Sequence, residues 1–153
     1  MHLKKYSNFL RLTALVLALV LLVPAGANAA MVEPAQPFAS QYLSYYHAYL
    51  EAASECMIRI HFRVEGITTL DYLGASEIYL YHSTDNASWT FYKHFSSDDY
   101  SCMKGYNTLI HSNYIECKGG VGRYYKAMVY LTGGKNGSAN MYYYQTNSVR
   151  AVA

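Results

Sequence analysis

Histidines are the residues in this chain best suited to bind metal, and their spacing tests that idea. Beyond residue 30 they are His47, His61, His82, His94 and His111. A zinc site needs three or four converging ligands, and no His-x-His or His-x-x-x-His spacing is present to start one. The cysteines also lack a Cys-x-x-Cys spacing. We therefore predict no metal and no cofactor.

Hydrolytic chemistry would need a nucleophile or an acid–base pair. The Gly-x-Ser-x-Gly elbow of many serine hydrolases is absent. Carboxylates occur together at Asp98 and Asp99, and less closely at Glu65 and Asp71. Neighbouring residues on a strand point to opposite faces, and in a turn such acids more often cap or face solvent. The sequence therefore predicts no catalytic residue.

Aromatic residues form the strongest candidate for binding. The chain has 18 tyrosines and a single tryptophan. These rings have an apolar body and a polar tip, which suits surfaces that stack on sugars or contact proteins. We predict that four rings on two neighbouring strands bind the ligand: Tyr79, Tyr81, Trp89 and Tyr92. Burial tendencies favour a core position for Trp89. The glycine-rich stretch 133–138, which its composition predicts to be a flexible loop, is a second candidate for binding.

Three cysteines allow one disulfide and one free thiol. They are Cys56, Cys102 and Cys117. We favour pairing Cys102 with Cys117, because their separation matches the two legs of a hairpin-like excursion. Cys56 could reach either of them across a sandwich, so all three pairings stay open.

The N-terminus has the order of a secretory signal peptide. Lys4, Lys5 and Arg11 precede an apolar run over 12–23, and Ala-Asn-Ala follows at 27–29. We predict a signal peptide over 1–29, a linker over 30–41, and one secreted domain over 42–153. The apolar run is shorter than the roughly 20 residues that a membrane span needs, so we expect no span in the mature chain.

The charge of the mature chain argues against nucleic-acid binding. The formal charge of +2 includes three basic residues of the predicted signal peptide, and without them 9 Lys and Arg face 10 Asp and Glu, which gives −1. Nucleic-acid binding normally leaves a cluster of Lys and Arg, and here they are scattered. We expect an extracellular protein or glycan as partner instead.

Alternating hydrophobicity predicts strands along most of the domain. Residues 57–65 alternate most clearly, and residues 42–52 fit either a helix or a strand, of which we favour the strand. Further strands are predicted over 77–83, 89–95, 106–111, 114–118, 123–132 and 141–149. Residues 67–74 are expected to form a connection, residues 84–88 and 119–122 turns, and 100–104 a short helical turn capped by Asp98 or Asp99.

Short strands separated by Gly, Asn, Asp and Ser are typical of an antiparallel, two-sheet β-sandwich. The segment from Tyr81 to Trp89 resembles a hairpin of fibronectin type III and immunoglobulin-like bacterial modules. The segment from Tyr125 to Val129 is similar to their penultimate strand, in which a tyrosine often braces the corner. Both resemblances imply an immunoglobulin-like fold and no particular activity.

The mature region as a whole resembles an uncharacterised family of small secreted proteins from Gram-positive bacteria. The resemblance implies location and shape only. It depends on these segments: Tyr42-Leu43-Ser44, Leu73-Gly74-Ala75, Ser83-Thr84-Asp85, Ser96-Ser97-Asp98-Asp99-Tyr100, Gly105-Tyr106-Asn107-Thr108 and Tyr144-Gln145-Thr146-Asn147.

We predict a non-enzymatic binding module for an extracellular protein or glycan. One alternative is a small extracellular hydrolase that uses His82, His94 and loop carboxylates. Another is a self-associating surface or matrix protein, suggested by tyrosine-rich strands and an unpaired thiol. A binder should show a contiguous aromatic patch, whereas an enzyme needs a concave pocket in which a histidine meets a carboxylate.

Overall fold

One strand of 27 residues organises the fold. The computed structural model describes residues 40–153, so the predicted signal peptide and residues 30–39 of the predicted linker lie outside the described residues. The described part consists of strands and one short 3₁₀ helix, Ser101–Met103. The strands are β1 (Leu43–Ala52), β2 (Met57–Ser83), β3 (Thr90–Ser96), β4 (Lys104–Lys118), β5 (Tyr124–Lys135), β6 (Ser138–Gln145) and β7 (Val149–Arg150).

All seven strands belong to one antiparallel sheet that curls into a half-barrel. The first half of β2 pairs with β1 and β4, and its second half pairs with β5 and β3. Strands β6 and β7 add to β5. The prediction of an antiparallel all-β domain is thus confirmed. The finer prediction of two separate packed sheets is not confirmed, because β2 runs through both halves.

Strand β2 is longer than the sequence predicted. Residues 67–74 were expected to connect two strands, and this expectation is wrong. They continue β2 past Gly66, and from Leu70 onwards the strand pairs with β4 and then also with β5. A register shift between Glu65 and Leu70 lets the strand bend there without ending, and Leu70 and Leu73 are buried beyond the bend.

Strand β4 is also continuous, although the sequence predicted a break at residues 112–113. Ser112 pairs with Arg63, and Asn113 pairs with Phe62. The Asn113 side chain donates to the main-chain oxygen of Cys102, at 3.1 Å. A residue type that often forms turns is therefore held in extended conformation by its strand partner.

The core lies on the concave side of the curled sheet. Strand β2 contributes Ile58, Ile60, Phe62 and Val64, all at most 1% exposed, as the alternation of residues 57–65 predicted. Strand β1 contacts β5, β6 and β7 without pairing with them. The two halves of the sheet therefore close over a single core.

Strands β1 and β6 meet along a seam that side chains close. The Asn147 amide donates to Leu50 O at 3.2 Å, and its Oδ1 accepts from Leu50 N at 2.8 Å. This reproduces the pair of bonds that a neighbouring strand would make. The rings of Tyr46 and Tyr142 stack further along the seam, with centroids 5.1 Å apart. Burial, and then the neighbouring Tyr142, raise the pKa of Tyr46.

Two local predictions are wrong, one for the glycine-rich stretch 133–138 and one for the cap of the short helical turn. Gly133 and Gly134 do not belong to a flexible loop, because they are buried within β5, and only Asn136 and Gly137 form the tight turn to β6, both with positive φ. The helical turn at 101–103 is present, but its N-cap, Tyr100, makes no side-chain capping bond. Neither candidate capping aspartate caps it.

Tyr125 braces the turn that leads into β5. Its ring is fully buried, and its hydroxyl accepts a hydrogen bond from Gly120 N at 2.7 Å. The ring also lies edge-on to Tyr92, with centroids 5.4 Å apart. One side chain thereby ties the 119–122 turn to the core.

Candidate ligand-binding face

A tight turn positions the aromatic hairpin formed by β2 and β3. The Asp85 carboxylate accepts from Ala87 N at 2.9 Å, from Ser88 N at 2.8 Å and from the Ser83 hydroxyl at 2.7 Å. These bonds, of which the one from Ser88 N has the largest effect, hold the pKa of Asp85 well below its usual range. The turn predicted over residues 84–88 is confirmed, and it leads directly into Trp89.

We expect Asp85→Ala to destabilise the domain at neutral pH and much less in acid. A carboxylate whose pKa folding lowers stabilises the native state above its unfolded pKa, which is 3.8 for Asp85. That contribution disappears as the pH falls through the folded value. Denaturant titrations at several pH values should show the free energies of unfolding of wild type and variant converging below about pH 4. A difference that stays constant with pH would contradict this role.

The convex side of the second half of the sheet carries a contiguous set of rings, which we call the aromatic face. Tyr81 lies between Phe91 of β3 and Lys126 of β5, and Tyr79 lies between His94 and Met128. Phe91 is 54% exposed and Tyr143 is 67% exposed. The rings of this face are Tyr79, Tyr81, Trp89, Phe91, Tyr130 and Tyr143.

A small groove opens on the aromatic face beside the hairpin turn. It encloses about 170 Å³ and is lined by Tyr81, Trp89, Lys126, Ala127, Met128 and Gln145. Trp89 is half-buried on the surface, so the expectation of a core position for it is wrong. The Lys126 ammonium lies over the indole, 4.5 Å from its centroid. This groove is where the structure offers a ligand both a ring surface and a charge.

Tyr92 does not belong to the aromatic face. A register shift between Leu80 and Tyr81 places Tyr81 opposite Phe91, which leaves Tyr92 as an extra residue in β3. Its ring turns to the concave side and contacts Tyr125, while its hydroxyl donates to Lys118 O at 2.9 Å. Of the four predicted binding rings, the structure therefore brings three together, Tyr79, Tyr81 and Trp89.

The histidines proposed for the alternative hydrolase lie on opposite faces. His94 stacks on Tyr79, with centroids 4.6 Å apart, and hydrogen-bonds Glu77 on the convex side. His82 contacts Tyr125, which is a core residue, and pairs with Arg123 at 2.8 Å. The structure therefore does not bring together the two histidines of this alternative, because residue 79, which pairs with His94, and residue 82 differ in strand parity.

The convex side of the first half of the sheet is charged, and its charges pair with one another. Arg59 contacts Glu116 at 2.5 Å, and His61 contacts Glu51 at 2.9 Å. Arg63 is bound in the same way by a neighbouring glutamate, at 2.7 Å. On this surface each of these basic groups is bound to a carboxylate, in contrast to Lys126 of the groove.

The cysteines are free thiols in the structure, with Cys56 and Cys117 buried and Cys102 exposed. The hairpin on which the pairing of Cys102 with Cys117 was predicted is not formed. Cys102 precedes β4 and Cys117 lies near its end, so a continuous strand separates them. Burial raises the pKa of the Cys117 thiol.

Three residues that line the groove were not predicted from the sequence to bind a ligand: Lys126, Met128 and Gln145. The alternation over residues 123–132 places Tyr124, Lys126, Met128 and Tyr130 on one side of a strand. That pattern was visible, but it does not tell which strand lies beside β5. The pairing of β5 with β2 is what brings these side chains next to Tyr79 and Tyr81.

Within residues 40–153, no three His, Cys, Asp or Glu side chains are grouped so that they could hold a metal ion. No helix in that range is long and apolar enough to cross a membrane. In comparisons with known proteins, no family model, no curated protein and no solved structure matched the chain.

Proposed function

We propose that this protein is an exported, non-enzymatic binding module that recognises a glycan through the aromatic face. The observation that carries the proposal is the groove in which Trp89 and Tyr81 present their rings beside Lys126 and Gln145. Sugar rings offer apolar C–H faces rimmed by hydroxyls. An exposed aromatic ring with polar groups beside it complements both features.

The extent of the aromatic face supports binding over catalysis. Exposed apolar patches on a soluble domain commonly mark interaction sites, and here rings from β2, β3, β5 and β6 adjoin one another. The one histidine–carboxylate pair on this face, His94 with Glu77, lies in the open on a convex surface. A pair so exposed to solvent lacks the concave, water-excluding site in which acid–base catalysis usually takes place.

Export and location belong to the same proposal. The order of basic, apolar and small residues over 1–29 supports secretion. The resemblance to a family of small secreted Gram-positive proteins agrees with that location. An immunoglobulin-like relationship stays a prediction, since the strand order runs through a single sheet.

A binding experiment with one variant tests the proposal. We expect the purified protein to bind members of a glycan array, and Trp89→Ala to weaken that binding by at least about tenfold, which corresponds to ~1.4 kcal/mol. Tyr106→Ala is the matched control, because this tyrosine of β4 is 68% exposed and lies outside the aromatic face. Absence of glycan binding, or equal binding by the Trp89 variant, would refute the proposal. Capture of a specific protein by the wild type, lost in the Trp89 variant, would favour a protein partner.

Self-association is the second candidate, and strand β4 favours it. Within the described residues, this strand of 15 residues pairs only with β2. It exposes Tyr106, Leu109, Ile110 and Tyr114. A long edge strand with exposed apolar side chains can pair with another chain. A solution mass that stays monomeric as the protein concentration rises would rule this candidate out.

A further inference from the structure

We propose that the groove selects a sugar that carries a carboxylate, such as a uronic acid, with Lys126 as its charge partner. This inference rests on the proposed glycan-binding function and specifies its ligand. The groove volume of about 170 Å³ lies below the range of about 300–1,000 Å³ typical of pockets for drug-sized ligands. It therefore suits a single sugar ring of a longer chain.

The positive charge of Lys126 has no acidic partner. Residues 40–153 contain four pairs in which a basic side chain contacts a carboxylate, and Lys126 takes part in none of them. The Lys126 ammonium instead contacts the indole of Trp89. A ring stabilises a cation without neutralising it, so the groove keeps a net positive charge that an anionic ligand can use.

The rest of the groove contains no group that would repel a carboxylate. The other lining residues are uncharged, and the Gln145 amide can both donate and accept hydrogen bonds. On the same face, Glu77 is bound to His94. In the preceding turn, the carboxylate of Asp85 faces the main-chain N–H groups of Ala87 and Ser88.

Contact with the indole also holds Lys126 in place before a ligand arrives. A lysine in free solvent loses much rotamer freedom when it forms an ion pair, which lowers the net gain. Here the ammonium lies over the indole of Trp89, and the ring of Tyr81, on which a sugar would stack, lines the same groove. Stacking and charge recognition would therefore act on the same ligand ring.

The test compares matched neutral and acidic sugars by calorimetry. The probes are oligosaccharides of glucose and of glucuronic acid, and of galactose and of galacturonic acid. We expect the wild type to bind an acidic member at least about tenfold more tightly than its neutral counterpart, as a charge-assisted hydrogen bond provides. Added salt should reduce this preference.

Variants of Lys126 test whether the preference for acidic sugars depends on the positive charge of this residue and not on an effect on folding. Lys126→Gln should bind the acidic and the neutral sugar of a pair with equal affinity, close to the affinity of the wild type for the neutral sugar. Lys126→Arg should keep the preference for the acidic sugar. Lys104→Gln is the matched control, because the Lys104 ammonium lies over the Tyr72 ring at 5.8 Å, outside the groove. It should behave as the wild type, and unchanged thermal unfolding would show that each variant is folded.

The outcomes distinguish this inference from the function on which it rests. If the wild type binds neutral sugars as tightly as acidic ones, or if Lys126→Gln keeps the acidic preference, the carboxylate inference is wrong and the glycan-binding proposal stands. If the wild type binds no sugar of either kind and no glycan on the array, both are wrong.

Discussion

Replacing Gly74 with alanine is expected to lower the free energy of unfolding by about 2–6 kcal/mol, the sum of backbone strain and overpacking. Gly74 has a φ of 152° and pairs with Lys104 of β4 and with Thr132 of β5. A Cβ there would overlap the main-chain oxygen of Met103. Met103 ends the 3₁₀ helix and directly precedes β4, so its main chain is tied to the sheet and cannot move aside as a side-chain tip can. The variant should therefore unfold at a much lower denaturant concentration, or fail to fold.

Gly137→Ala separates the two contributions. Gly137 also has a positive φ, of 78°, but nothing lies within 4 Å of a Cβ placed on it. The free energy of unfolding of this variant should fall only by the cost of the left-handed conformation, about 1–2 kcal/mol. Denaturant titration of both variants measures the difference. Equal losses would show that the contact with Met103 does not matter.

Replacing Tyr125 with alanine is expected to cost about 3–5 kcal/mol, the usual range for removing a large buried ring. Tyr125 is fully buried, and its ring contacts both Tyr92 and His82. Its removal would leave a cavity under the aromatic hairpin and release the 119–122 turn. The domain should lose a large part of its free energy of unfolding, since this energy is typically only about 5–15 kcal/mol for a folded domain.

Two further variants serve as references for the loss of stability expected of Tyr125→Ala. Tyr125→Phe keeps the ring and leaves Gly120 N without its acceptor, so we expect a loss of about 1–3 kcal/mol. Tyr106→Ala removes a ring that is 68% exposed and should change stability by less than about 0.5 kcal/mol. Calorimetric or denaturant unfolding measures all three. If the alanine variant at 125 were no less stable than the phenylalanine variant, the core role of the ring would be contradicted.

The elements that could be predicted from sequence are those whose pattern is local. Alternation over residues 57–65 identified both the strand and its inner face, and Asp85 with Asn86 identified the hairpin turn. The ambiguous stretch 42–52 was correctly favoured as a strand by the composition of its neighbours. In each case the signal lies within about ten residues of the chain.

The features of the fold that were not predicted from the sequence depend on contacts with residues far along the chain. Gly66 is usually a sign that a strand ends, yet pairing with β4 carries β2 past it. The extra residue in β3 reverses the side on which Tyr92 lies, and no local pattern marks it. Trp89 has the burial tendency of a core residue, but it follows the turn at the sheet margin and lies against Lys126.

The way β2 is shared has a consequence for how the chain folds. Because this one strand passes through both halves of the sheet and pairs with β1, β3, β4 and β5, the two halves share main chain and a single core. The domain should therefore unfold in one cooperative transition. The two longest ladders, of β2 with β4 and of β2 with β5, join distant parts of the chain, which gives the kind of high contact order that slows folding. A fragment that ends before β5 would leave the second half of β2 without its partner on one side, and we expect it to stay unfolded.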